Sequence, residues 1–409
     1  METFGWGPAC DSGALNGTRL IRTLQVVGNS AFGGGTYLID EWSRYLIARG
    51  CYVDILSTDK KTIEYLKKVA GIGIIDSILI PRDISPIKDA QACFRLLKLL
   101  AEKRYDVVHT YTATPGFIGR TTARLMGVPV IVHHQAAWAV DEYSSFLKRL
   151  AFTPLEYFVT LISTKSICVS RATRSMAKRL HIAPDFKLAT ICNGIDHAKY
   201  IEARLRSRRG FFRAKLNIPE DHVLIGSTGR LAPQKDYPTL IKAFAKLPMF
   251  VPAKKLSLAI AGEGPDHQKL CTLATSLGVK DSVHLPGFID DIPGFLSALD
   301  IFVSTSLREG LSISLLEAMA AELPIVASSI RPNAELIASG QEGLLVSPGS
   351  ATETASAVAE LIDNPQVSIG YANKARLRVV DEFSLDRMLD KTWKLYLDLL
   401  AAKGRCVEA

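Results

Sequence analysis

The feature that most constrains this chain is a punctuated repeat: a short apolar run, a break carrying glycine or polar residues, then apolar residues at helical spacing. Leu24 to Val27 is the first run, followed by Gly28-Asn29-Ser30-Ala31-Phe32-Gly33-Gly34-Gly35 and then by Leu38, Trp42, Leu46 and Ile47. Tyr52 to Leu56, Ile75 to Ile80, Val107-Val108, Val128 to Val132, Ser166 to Val169 and Leu188 to Ile191 continue the series. Near-continuous apolar strands that alternate with helices imply a parallel sheet covered on both faces. A second series opens at Val223 to Ser227 and runs through Leu256 to Ala261, Val283 to Leu285, Ile301 to Ser304, Ile325 to Ala327 and Gly343 to Val346. Each series reads as a doubly wound α/β unit, and 409 residues exceed what one ordinary core holds.

The expected organisation is a disordered tail over 1–20, a Rossmann-like domain over 21–198, a basic helical linker over 199–221, a second Rossmann-like domain over 222–384 and a final helix over 385–409. That helix carries an apolar stripe at Met388, Leu389, Trp393 and Tyr396. The first glycine loop is not G-x-G-x-x-G, and no acidic residue is well placed after the next strand, which argues against a dinucleotide site. Gly33, Gly34 and Gly35 sit at a strand-to-helix switch, where backbone amides can meet a phosphate or an acceptor.

Between Arg308 and Ala320 the chain reads Arg-Glu-Gly-Leu-Ser-Ile-Ser-Leu-Leu-Glu-Ala-Met-Ala. Gly310 lets backbone approach a ligand, and Ser312 or Ser314 can cap a helix whose Leu315, Leu316 and Met319 face a core. The first amides of such a helix attract a phosphate. Glu309 then lies in front of the phosphate and Glu317 about two turns into the helix, so hydroxyls on both sides of a diphosphate find an acceptor. Upstream, in order and each near a strand end, come Gly229-Arg230, Gln234-Lys235-Asp236, Ala261-Gly262-Glu263-Gly264-Pro265 and Gly287-Phe288.

The E-x7-E spacing and this flanking order resemble the retaining, nucleotide-sugar-dependent glycosyltransferases of family 4, which have the two-domain GT-B fold. The resemblance covers nearly all of the chain beyond Leu20. It implies an active site in the cleft between two Rossmann-like domains, with the acceptor mainly on the first and the donor on the second. Arg230 and Lys235 would hold the diphosphate without a metal. Glu309 would orient the sugar and Glu317 the ribose, with Gly310, Leu311, Ser312, Gly262, Gly287 and Phe288 around the donor. The family holds the nucleobase partly by backbone groups near Gly287-Phe288, and UDP is favoured by family frequency alone. His134 stands where the family has His-Gly, with Gln135 replacing the glycine. His133 beside it leaves open which ring faces the donor, because alternation sends the two to opposite sides of a strand. Asn193-Gly194-Ile195-Asp196 matches the family's interdomain turn, and the last helix is expected to cross back to the first domain. A front-face mechanism, in which a leaving phosphate oxygen helps deprotonate the acceptor, is also what the resemblance implies.

Composition narrows the partners. A hydrophobic share of 48% with 22% charged residues is that of a soluble globular chain. No apolar run is long enough to span a bilayer, and Met1 to Asn16 lack the basic-then-apolar order of a secretory signal. The seven cysteines are scattered without C-x-x-C, which argues against metal or disulfide frameworks and for a reducing cytoplasm. The net charge of +8 is partly clustered, at Arg204, Arg206, Arg208, Arg209, Arg213 and Lys215, and at Arg171, Arg174, Lys178 and Arg179. Those runs read as solvated helix faces or as an attraction to an anionic membrane surface, where the protein would sit peripherally. The acceptor is expected to be a lipid-linked or envelope glycan, with a soluble natural product as the alternative. A nucleotide-sugar epimerase or phosphorylase on the same fold is a further alternative. Nucleic acid is not an expected partner, since no helix-turn-helix, zinc or aromatic-basic signature is present.

Overall fold

Every strand pair is parallel, and the strands form two separate sheets. A computed structural model of the chain describes residues 20–28, 33–81, 85–142, 144–205 and 208–405. The expected tail, apart from Leu20, lies outside the described residues, as do Asn29 to Phe32, Arg206, Cys10 and Cys406.

The first sheet comprises β1 (Arg22–Gly28), β2 (Tyr52–Ser57), β3 (Ile72–Ile75), β4 (Val107–Tyr111), β5 (Val130–Gln135), β6 (Lys165–Cys168) and β7 (Leu188–Thr190), in the order β3-β2-β1-β4-β5-β6-β7. The second comprises β8 (Val223–Thr228), β9 (Leu256–Ala261), β10 (Val283–Gly287), β11 (Ile301–Ser304), β12 (Ile325–Ser328) and β13 (Leu344–Val346), in the order β10-β9-β8-β11-β12-β13. In both, the order reverses beside the first strand, between β1 and β4 and between β8 and β11. Such a switch point leaves a crevice beyond the strand ends where ligands bind.

Alternation assigns the strand residues to two cores per sheet. Val27, Val53, Ile55 and Val107 pack with the helix Gly34–Ala48, while Leu24, Val26, Leu56 and Val108 pack with the helix Pro86–Lys103 on the other face. Ile225, Leu258, Ile260 and Val303 likewise oppose Leu224, Ala259 and Phe302 in the second sheet. Burying each of the larger side chains is worth roughly 1.5–3 kcal/mol.

One strand differs from the sequence reading. The run Ile75 to Ile80 is not a strand; β3 lies earlier, pairing Ile72 to Ile75 with Val53 to Leu56. As an edge strand β3 has only β2 for a neighbour, and the ladder stops where β2 ends. Ile78 and Ile80 are buried all the same, beside Leu96, without joining the sheet.

The two sheets are joined at Asn193 to Asp196. Ile195 donates its N–H to Phe383 O at 2.9 Å, and Leu385 N–H donates to Ile195 O at 3.0 Å. A Cβ on Gly194 would fall 2.4 Å from Ser384 O, so this close passage requires glycine. The helix Leu385–Ala401 then packs Met388, Leu389, Tyr396 and Leu400 into the core of the first sheet.

The basic runs are largely consumed within the fold. Arg209 and Arg213 pair with Asp300 at 2.9 and 2.6 Å, Arg208 pairs with Asp291, and Arg213 is fully buried. Arg174 and Lys178 share Asp185 at 2.9 and 3.1 Å, and Arg179 pairs with Glu142. Arg171 and Lys215 stay exposed, so the runs are paired in part rather than left as one bare cationic face. Their acidic partners are distant in sequence or dispersed, which hides the pairing from a linear count.

Candidate active site

The second-sheet side is built by two loops tied together. After β8 the chain passes Gly229 and Arg230 into a single turn, Pro233–Lys235. The loop after β11 holds that turn: Leu307 N–H donates to Gln234 O at 2.8 Å, and Thr305 Oγ1 donates to the carbonyls of Lys235 and Asp236 at 3.0 Å. As a result Lys235 Nζ lies 2.7 Å from Glu309 Oε1, which also accepts from Ser306 Oγ at 2.8 Å. Burial pushes the Lys235 ammonium down, but Glu309, with Tyr237 and Glu317, more than offsets this, so the group stays charged.

Gly310 is required for a different reason than its neighbours. A Cβ there would lie 1.8 Å from Ala136 O in the loop after β5, and Ser170 Oγ donates to Gly310 O at 2.7 Å. The Glu309 loop is thus seated against the opposite side of the cleft. Of the two candidate caps, Ser312 accepts from Leu315 N–H at 3.3 Å and starts the helix Ile313–Ala320. Leu315, Leu316 and Met319 are buried, as their spacing requires, and Glu317 faces the cavity.

Glu317 receives a hydrogen bond from Tyr200 Oη at 3.1 Å, out of the helix Ala198–Leu205. Burial pushes the Glu317 carboxyl up to about 7, against the opposing pull of Tyr200 and Lys235. A proton held longer in the folded than in the unfolded chain makes the fold less stable as pH rises from the ordinary glutamate value toward 7.

On the first-sheet side, the pleat separates the two histidines. His133 points away from the cavity and is buried, with Nδ1 2.8 Å from Thr110 Oγ1. His134 lines the cavity, and burial pushes it down to about 4, opposed by the Asn193 side chain. It is a neutral ring at neutral pH. His109 lies deeper, with Nδ1 2.7 Å from Tyr396 Oη and its ring stacked on Tyr111 at 4.6 Å.

These groups surround one cavity of about 1020 Å³. Gly33, Gly34, Gly35 and His134 line one side; Arg230, Lys235, Gly262, Phe288, Glu309, Gly310, Leu311 and Glu317 line the other. Ser312 and Gly287 are not among the lining residues: Ser312 is buried as a cap, and Gly287 O accepts from Gly262 N–H at 2.8 Å at the end of β10. Sequence reasoning missed Tyr200, and it missed two contacts that span the cleft. Tyr37 Oη donates to Asp290 Oδ1 at 3.2 Å, and Lys61 Nζ pairs with Glu263 at 3.0 Å. Isolated residues in a helix or a loop carry no linear signal of such contacts. Among the described residues no group of three or more His, Cys, Asp or Glu side chains is placed to hold a metal ion.

Residues 32–199 match the family described as Glycosyltransferase Family 4, and residues 208–378 match Glycosyl transferases group 1. The chain is 31% identical over 327 residues, 79% of its length and 83% of the relative's, to UDP-Gal:alpha-D-GlcNAc-diphosphoundecaprenol alpha-1,3-galactosyltransferase of Escherichia coli. The chain belongs to the group 1, family 4 glycosyltransferases. This glycosyltransferase superposes on HepE of Anabaena in complex with UDP and glucose with a TM-score of 0.78 at 19% identity, covering 92% of this chain and 100% of that one. It matches WaaG, a glycosyltransferase involved in lipopolysaccharide biosynthesis, with a TM-score of 0.74 at 20% identity over 92% of this chain and 99% of that one. The fold of the glycosyltransferase is GT-B, as its motif order led us to expect.

Proposed function

We propose that this glycosyltransferase moves a sugar, with retention of configuration, from a UDP-sugar to a hydroxyl of a lipid-linked glycan. The observation that carries the reading is the convergence of Lys235, Glu309 and Glu317 at the second switch point, facing the glycine loop and His134. The nucleotide sugar lies mainly on residues 222–384 and the acceptor mainly on residues 21–198. Arg230 and Lys235 bear on the diphosphate, Glu309 on the sugar and Glu317 on the ribose. Gly262, Leu311 and Phe288 line the donor side, while Gly287 and Ser312 shape it from behind. As the bond between the anomeric carbon and the phosphate oxygen breaks, negative charge grows on the nucleoside diphosphate. Fixed cations there stabilise the transition state more than the ground state. The acceptor oxygen bonds to the anomeric carbon on the same face, and its proton passes to the departing phosphate oxygen. The lipid-linked acceptor is supported by the E. coli relative, whose name specifies a diphosphoundecaprenol substrate.

In this reading the diphosphate is neutralised by side chains, with no divalent ion. Transfer is therefore expected to continue at full rate in excess chelator. Loss of activity in chelator, restored by Mg²⁺ or Mn²⁺, would contradict it.

The carboxyl of Glu317 adds a pH signature. Ionised Glu317 accepts from two hydroxyls, so kcat/KM is expected to fall as pH drops below about 7. Tyr200→Phe removes a hydrogen bond that favours the carboxylate and moves this acid limb to higher pH. A pH–rate profile of the two proteins checks it; an unmoved limb would detach Glu317 from donor binding.

A further inference from the structure

The helix Phe146–Ile162 presents an apolar face that none of the described residues covers. Phe146, Leu147, Leu150, Phe158 and Leu161 are 76%, 75%, 62%, 55% and 42% exposed. Leu147, Leu150, Pro154, Phe158 and Leu161 recur at three- and four-residue spacing, so they form one continuous stripe. The opposite face is the packed one, with Glu156, Val159 and Thr160 buried. An apolar stripe of this length on a folded chain marks an interaction surface.

Two neighbours say what covers it. At the end of the helix, Lys187 Nζ donates to Ser163 O at 2.7 Å and Lys165 Nζ donates to Phe186 O at 2.7 Å. Arg124 and Lys403 are exposed there and act electrostatically on Lys187, whose ammonium is pushed down by burial and by these like charges together with Lys165. Leu125 and Phe186, beside these cations in sequence, are themselves 71% and 68% exposed. Apolar side chains next to cations that meet no carboxylate among the described residues are complementary to an anionic lipid surface. At the other end, Arg149 in the first turn of the helix donates to Asp141 O at 3.1 Å, and the Asp141 carboxylate pairs with Arg308 at 3.1 Å, one residue before Glu309. The stripe therefore leads to the mouth of the cleft. Among the described residues no helix is long and apolar enough to cross a membrane.

We propose that this stripe lies in the head-group region of an anionic bilayer and that the glycosyltransferase thereby works on an acceptor held in that bilayer. The second clause rests on the lipid-linked reading above, and the first does not. The apolar stripe supplies insertion, the Arg124, Lys165, Lys187 and Lys403 cluster supplies attraction, and the cleft opens at the membrane face.

Flotation of the full chain with phosphatidylcholine vesicles, with and without phosphatidylglycerol, tests it. The protein is expected to float with the anionic vesicles at low salt. Leu150→Glu with Phe158→Glu is expected to lower the bound fraction at least about tenfold, and Arg124→Gln with Lys403→Gln to abolish much of its salt dependence. Ile87→Glu with Phe94→Glu, on the exposed side of the helix Pro86–Lys103, is the control and should float like the wild type. Free UDP binding, measured on each protein, should be unchanged, which separates this proposal from failure of the donor site. Wild type that stays behind with anionic vesicles at low salt would overturn the proposal, as would a Leu150→Glu, Phe158→Glu protein that floats normally. A dimer that those two substitutions dissociate, with no change in vesicle binding, would assign the stripe to a second copy of the chain instead.

Discussion

Lys235→Ala is expected to lower kcat by roughly a hundred- to a thousandfold, the range seen when one fixed donor to a developing anion is removed. Lys235 is set by a turn that three hydrogen bonds from the loop after β11 hold in place, so its ammonium needs no reorganisation as the diphosphate departs. The same substitution should weaken free UDP by about 1–3 kcal/mol, because the proposed charged partner of the phosphates is lost. Steady-state kinetics and a binding isotherm check the two effects separately. A kcat within a fewfold of wild type would mean that Lys235 is a structural ion-pair partner of Glu309 and nothing more.

Glu309→Gln is expected to lower kcat by roughly a hundredfold with the opposite effect on nucleotide binding. The glutamine side chain keeps the shape and an acceptor for Ser306 but loses the charge that pairs with Lys235 at 2.7 Å. The ammonium then has no competing carboxylate, so free UDP should bind as well as to wild type or more tightly. Discrimination between donor sugars should narrow if, as proposed, the carboxylate accepts from the sugar ring. Kinetics with several UDP-sugars measures this; unchanged discrimination together with unchanged kcat would remove Glu309 from the reacting centre.

The parts legible in sequence were those with a local physical signal. Strand runs such as Ile325 to Ala327 are apolar throughout because both faces of a parallel sheet are covered. The helix start at Ser312 or Ser314 follows from capping chemistry within a few residues. The neighbours of these residues across the cleft were not legible. Nothing near Tyr200 says that its hydroxyl meets Glu317, and nothing near Gly310 names Ala136. The pairing within the basic runs was hidden in the same way, since Asp291 and Asp300, the partners of Arg208, Arg209 and Arg213, lie far along the chain. The choice between His133 and His134 needed only the register of β5, which puts His133 against Thr110.

The most direct test of the donor site is a calorimetric titration of free UDP into wild type, Lys235→Ala and Glu309→Gln side by side. A donor diphosphate seated on Lys235 predicts binding at least about fivefold weaker in Lys235→Ala and undiminished in Glu309→Gln. Equal affinity in all three proteins, or no binding of UDP to wild type, would contradict the account.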